Sequence, residues 1–76
     1  IMAYRVHSIT VRKEDQFKAD EIINEHWDLG ELDDARYEVH WNSDGTSTVT
    51  YWLNPYVYED FEAIKKEFQE AGIVLR

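Results

Sequence analysis

A two-layer α+β sandwich is the fold class this sequence predicts. Two segments, Arg36–Trp41 and Thr46–Leu53, alternate apolar and polar residues on either side of a loop ending in Gly45. Two further segments carry apolar residues at helical spacing and interleave with the strand segments. The chain has 76 residues, so all of this belongs to one small domain, taken as 3–76.

Residues 3–11 read as the first strand, rich in β-branched and aromatic side chains. The alternation is broken. Tyr4 and Val6 share one face while Ile9 and Val11 share the other, so a bulge or a strand end near Ser8 is expected. With Tyr4 and Val6 inward, Arg5 and His7 point out. Residues 14–29 read as the first helix, with acidic residues in the opening turn and Gly30 as its stop. Ala19, Ile22, Ile23 and His26 fall on its apolar side.

The hairpin is the clearest local motif. A two-residue Asp44-Gly45 turn pairs Val39 with Thr50 and mixes the faces. A three-residue loop with Gly45 left-handed pairs Asn42 with Thr46, Val39 with Val49 and Tyr37 with Tyr51, which keeps one face apolar and is preferred. The second helix is expected to be capped by Asn54 with Pro55 at its first position. Its core stripe runs Val57, Phe61, Ile64 and Phe68, Gly72 ends it, and Ile73-Val74-Leu75 reads as a short last strand.

The order is then β-α-β-β-α-β. Two right-handed crossovers around one hairpin define the ferredoxin-like arrangement, with antiparallel sheet order 4-1-3-2 and both helices on one face. That resemblance rests on element order alone and carries little functional weight.

Composition narrows function further. The chain has no cysteine, which excludes disulfides and thiolate metal sites. No apolar run reaches the roughly 18 residues of a membrane span, so a cytoplasmic protein without membrane contact is expected. The net charge is -8, and residues 14–34 hold nine acids against Lys18, a local balance equal to the whole. The acidity is therefore located on the first helix and its exit loop. Phe17 stands among Asp20, Glu21, Asn24 and Asp28, opposite the helix's apolar side. An aromatic ringed by acids is a composition suited to binding a basic partner protein. The expected partner-binding residues are Phe17, Asp20, Glu21, Asn24, Glu25, Asp28, Glu31, Asp33 and Asp34. Their carboxylates can stand in for phosphates in a groove that normally holds nucleic acid.

Other chemistries are weaker. Of the three histidines, His26 reads as a hydrogen-bonded residue of the core or its edge. His7 and His40 lie on strands separated by a third, about 9.6 Å apart, too far for one zinc. No metal or other cofactor is expected. There is no nucleophile elbow, phosphate-binding loop or dinucleotide fingerprint, so no enzymatic activity is expected. Trp52 on the outer sheet face invites comparison with RNA-recognition domains, but Thr48–Leu53 lacks their glycine-aromatic spacing and the net charge opposes direct nucleic-acid binding. Arg36, His40 and Trp52 form an alternative sheet-face site, where the sheet face or the second-strand edge pairs with another copy in a homodimer. A small-ligand sensor or enzyme in the cleft between sheet and helices is a third reading. In size, charge and fold type the chain resembles small phage-encoded proteins that block host nucleases, including anti-CRISPR and anti-restriction proteins. That likeness implies an inhibitor of a nucleic-acid-binding protein, and no motif carries over residue by residue.

Overall fold

The computed structural model describes residues 4–27, 36–53 and 60–76. The elements run β1 (Arg5–Arg12), a single 3-10 turn (Lys13–Asp15), α1 (Gln16–Trp27), β2 (Arg36–Trp41), β3 (Thr46–Leu53) and α2 (Phe61–Glu70). Among the described residues the strands form one antiparallel sheet in the order β1-β3-β2.

This corrects the expected four-stranded 4-1-3-2 ferredoxin-like sheet: the architecture is a small α+β fold with, among the described residues, three strands and two helices. The missing strand has a local cause. Gly72, at φ +76°, ends α2 in a Schellman turn, with Ile73 N–H bonding Phe68 C=O at 2.8 Å and Gly72 N–H bonding Gln69 C=O at 3.2 Å. That turn drops Ile73 into the core and leaves Val74 and Leu75 exposed. Beyond it, Arg76 N–H bonds Thr10 C=O at 2.8 Å, a touch on β1 rather than a ladder. Three consecutive apolar residues have strand propensity, but propensity without a buried face does not make a strand.

The hairpin forms in the expected register. Tyr37 pairs with Tyr51, Val39 with Val49 and Arg36 with Trp52. Asn42 N–H bonds Thr46 C=O at 2.8 Å across a three-residue loop, and Gly45 takes φ +86°, the left-handed conformation this loop demands. Asp44 Oδ1 closes the turn by accepting from Thr46 N–H and Oγ1–H at 3.1 and 2.6 Å. These bonds favour the ionised carboxylate and hold Asp44 below its ordinary value.

β1 faces the opposite way from the expectation over its first half. Its pairing with β3 is continuous from Arg5↔Leu53 to Arg12↔Thr46, with no bulge. Opposed residues of an antiparallel pair share a face, so His7, Ile9 and Val11 lie with Tyr51, Val49 and Ser47 under the helices. Ile9 and Val11 are buried while Val6 is 59% exposed. Burying Ile9 and Val11 deep in the core commits every residue of an unbroken strand, and Tyr4 and Val6 are turned out.

The core lies between that sheet face and the helices. Ile9, Val11, Val49, Tyr51 and Leu53 meet Ala19, Ile22, Ile23 and Trp27 from α1 and Ile64, Phe68 and Ile73 from α2 and its exit. His7 is an inward residue too, with its ring 4.3 Å from Phe61 and 5.5 Å from Trp27. α1 begins later than residue 14, because Arg12 pairs with Glu14 and Asp15 and holds 13–15 as the 3-10 turn. α2 starts at Phe61, with Asp60 Oδ1 accepting from Ala63 N–H at 3.3 Å as its cap. The expected cap and stripe residues Asn54, Pro55 and Val57 lie outside the described residues.

Candidate functional site

Helix periodicity decides which residues of α1 reach solvent. Gln16, Ala19, Ile22, Ile23 and Trp27 are buried along one side. The opposite side carries Phe17, Glu21, Asn24 and Glu25, all exposed. Phe17 is 80% exposed, the largest value among the exposed large hydrophobic residues, and its position three residues before Asp20 and four before Glu21 sets it beside both on the helix surface. A bare aromatic ring on an acidic helix face is what the sequence predicts, and it is present. Of the other expected contact residues, Asp28, Glu31, Asp33 and Asp34 lie outside the described residues.

Asp20 has a second role. Its Oδ1 accepts the Tyr51 hydroxyl at 2.9 Å, tying α1 to the middle strand. Burial, then the Asp20 charge, then this hydrogen bond, all raise the Tyr51 phenol well above its usual range. Tyr51 is thus a neutral donor at any physiological pH, and Asp20 is held in place at the edge of the acidic face.

The helix layer leaves one row of the sheet uncovered. Among the described groups α1 reaches β2 through a hydrogen bond from Trp41 Nε1–H to Gln16 Oε1 at 2.8 Å, and Lys13 Nζ sits 4.2 Å from the Trp41 ring centroid. Tyr37 lies against Tyr51, ring centroids 6.0 Å apart. Tyr37, Val39 and Trp41 were expected inside; they point to the helix side yet remain exposed, Trp41 by 60% and Tyr37 by 50%. The cause is width. Among the described residues α1 and α2 roof β1 and β3, and the edge strand β2 lies beyond them. Sequence reasoning missed this row because alternation identifies a face, not whether anything covers it.

The acidic face of α1 continues into a groove between the helices. Glu21 and Glu25 of α1 and Glu67 and Glu70 of α2 line a groove with Lys18. His26 bonds Glu67 across the same helix pair, in keeping with the expected hydrogen-bonded edge histidine. Among the described residues no group of three or more His, Asp or Glu is arranged to hold a metal.

The outer sheet face differs from the expectation on β1, where Val6, Ser8 and Thr10 replace Arg5 and His7. Its centre is a hydroxyl ladder, with Ser8 Oγ 2.9 Å from Thr50 Oγ1 and Thr10 Oγ1 2.9 Å from Thr48 Oγ1. His40 is exposed and Trp52 half-buried on this face, and the register sets Arg36 opposite Trp52 as expected. The Arg36 side chain lies outside the described residues. Arg36 and His40 flank different rungs of the ladder, opposite Trp52 and Thr48 respectively, so the alternative sheet-face residues are spread along β2 and β3 rather than gathered.

No family model matches the chain, and no similar curated protein or solved structure is found. Among the described residues no helix is long and apolar enough to cross a membrane.

Proposed function

We propose that this chain is a non-enzymatic binding module that inhibits or regulates a partner protein by occupying a basic surface, of the kind that normally holds nucleic acid. The contact face is the exposed side of α1: Phe17 as the apolar anchor, with Asp20, Glu21, Asn24 and Glu25 around it. The supporting observation is the 80% exposure of Phe17 within that acidic face. An exposed aromatic gains by burial on binding, and surrounding carboxylates steer a cationic groove onto it and set the orientation. The mode of action matches that of small phage anti-CRISPR and anti-restriction proteins, and the cytoplasm is the expected compartment.

The test uses the partner captured from the native host by the tagged chain. Glu21→Lys with Glu25→Lys is the informative charge reversal, because both side chains are exposed and neither holds the fold. Reversing Asp20 would also break the Tyr51 bond and confound the result. The proposal expects the reversed variant to unfold no lower than the wild-type temperature, since lysines at 21 and 25 face Glu67 and Glu70, and to lose the partner. Unchanged affinity in isothermal titration overturns it.

A further inference from the structure

We infer that the free edge of β2 is a self-complementary strand that pairs with β2 of a second copy, in an antiparallel register centred on Val39. The argument starts from backbone parity. Asn42 N–H bonds Thr46 C=O, so Asn42 occupies a hydrogen-bonded position of the β2–β3 ladder. Hydrogen-bonded and non-bonded positions alternate along an antiparallel pair. His40 and Glu38 therefore also direct their N–H and C=O groups toward β3. Tyr37, Val39 and Trp41 direct theirs away from it, to the side where the described residues place no further strand. A row of backbone donors and acceptors at an edge is a template for another strand.

Parity restricts which residues can meet. Outward-bonding residues must pair with outward-bonding residues, so a two-fold partner brings Tyr37, Val39 and Trp41 against the same set. Centring on Val39 sets Val39 against Val39 and Tyr37 of each copy against Trp41 of the other. It sets Glu38 of each copy against His40 of the other, a non-bonded pair with the closer side-chain approach. Shifting the centre to Glu38 would oppose two glutamates at that short distance. Shifting it to His40 would oppose two histidines and leave Tyr37 unmatched. Centring on Tyr37 would set Glu38 against Arg36 but leave Val39 and Trp41 without a partner from the same set; only the Val39 register pairs Tyr37, Val39 and Trp41 all among themselves, with an acid against an imidazole on the other face.

The exposure pattern agrees. Tyr37, Val39 and Trp41 are the large inward-facing strand residues that the helices do not cover. Both copies' odd-numbered residues face the same side, so the two-fold axis stands perpendicular to the sheet. The product is a continuous six-stranded sheet with all four helices on one face, and the two α1 acidic faces flank the shared aromatic row. This association is independent of the basic-partner proposal, since it uses the β2 edge rather than Phe17 and the α1 carboxylates.

The interface is one short strand and its side chains, so a weak, concentration-dependent dimer is expected. Sedimentation velocity from about 10 µM to 1 mM spans the relevant range. Val39→Pro removes an N–H that the β2–β3 ladder does not use, and edge positions of this kind tolerate proline. It should raise the dissociation constant at least about tenfold with the far-UV spectrum kept. The second test does not depend on proline being accommodated. Glu38→Lys sets a lysine against His40 of the other copy and should weaken the dimer. Adding His40→Glu sets a glutamate against that lysine only if positions 38 and 40 face each other across the two-fold, and should recover it. A monomer at every concentration, or a dimer that the swap does not recover, or one abolished by Trp52→Asp but indifferent to the β2 variants, overturns the inference.

Discussion

Removing a polar atom from the core should stabilise this protein. Ser47 of β3 is fully buried between Val11 of β1 and Trp41 of β2, and its Oγ finds no hydrogen-bond partner among the described residues. In the unfolded chain that hydroxyl is hydrated; in the folded state it has lost water and gained nothing. Mutational data put the cost of such burial at about 1–3 kcal/mol. Ser47→Ala deletes one oxygen, forfeiting a few contacts worth about 0.1–0.2 kcal/mol each. Alanine is also a poorer strand former, on a scale whose whole span is only about 1 kcal/mol. The net expectation is a gain of about 1 kcal/mol, which for a domain of this size raises Tm by roughly 4–8 °C. Thermal unfolding followed by circular dichroism, with urea denaturation at the same pH, reads both quantities. A Tm lowered by more than about 3 °C, well outside that expectation, would show that the hydroxyl has an acceptor in the folded state and that the reasoning is wrong. Trp27 Nε1 is buried without a partner in the same way, but its donor cannot be deleted without losing the ring that fills the core.

Three other outcomes follow from the same geometry. Gly72→Ala should cost about 1 kcal/mol, measured by urea denaturation: a Cβ there meets open space, so the whole penalty comes from the φ of +76°. Tyr51→Phe should cost about 0.5–1.5 kcal/mol, the net worth of its bond to Asp20, because the half-exposed carboxylate can recruit water in exchange. Asp44 is depressed in the folded state, so its contribution is present above the ordinary carboxylate value of 3.8 and is lost as pH falls through the lower folded value. Asp44→Ala should therefore lower Tm at neutral pH and flatten the fall of Tm with acid, read from melts between neutral pH and the acid limit.

The parts of the structure that were legible in the sequence are those set by neighbours along the chain. Of the two-residue and three-residue turns at Asp44-Gly45, only the three-residue loop keeps Tyr37, Val39 and Trp41 on one face with Val49 and Tyr51, and Gly45 supplies the left-handed residue that loop needs. Phe17 could be placed on the solvent side of α1 because helical spacing fixes angles within one element. What was not legible depends on partners far away in sequence. Both parities of β1 carry apolar residues, so Tyr4 and Val6 against Ile9 and Val11 could not be decided until β3 fixed the pairing. Ile73-Val74-Leu75 reads as a strand by composition, but the Schellman turn at Gly72 diverts it. Asp60, three residues before Ala63, was a usable cap signal overshadowed by Asn54-Pro55. The uncovered row on β2 and the Trp41–Gln16 bond depend on how far two helices extend over the sheet, which no local pattern encodes.

The proposed binding role turns on the acidic face of α1, and Phe17→Ser tests it most directly. At 80% exposure the ring contributes little to folding, so the variant should unfold within about 0.5 kcal/mol of wild type. If Phe17 anchors the complex, titration of the captured partner should show a loss of about 2 kcal/mol or more, roughly thirtyfold in Kd. A variant that keeps both its stability and its affinity would contradict the account and move the functional surface elsewhere on the molecule.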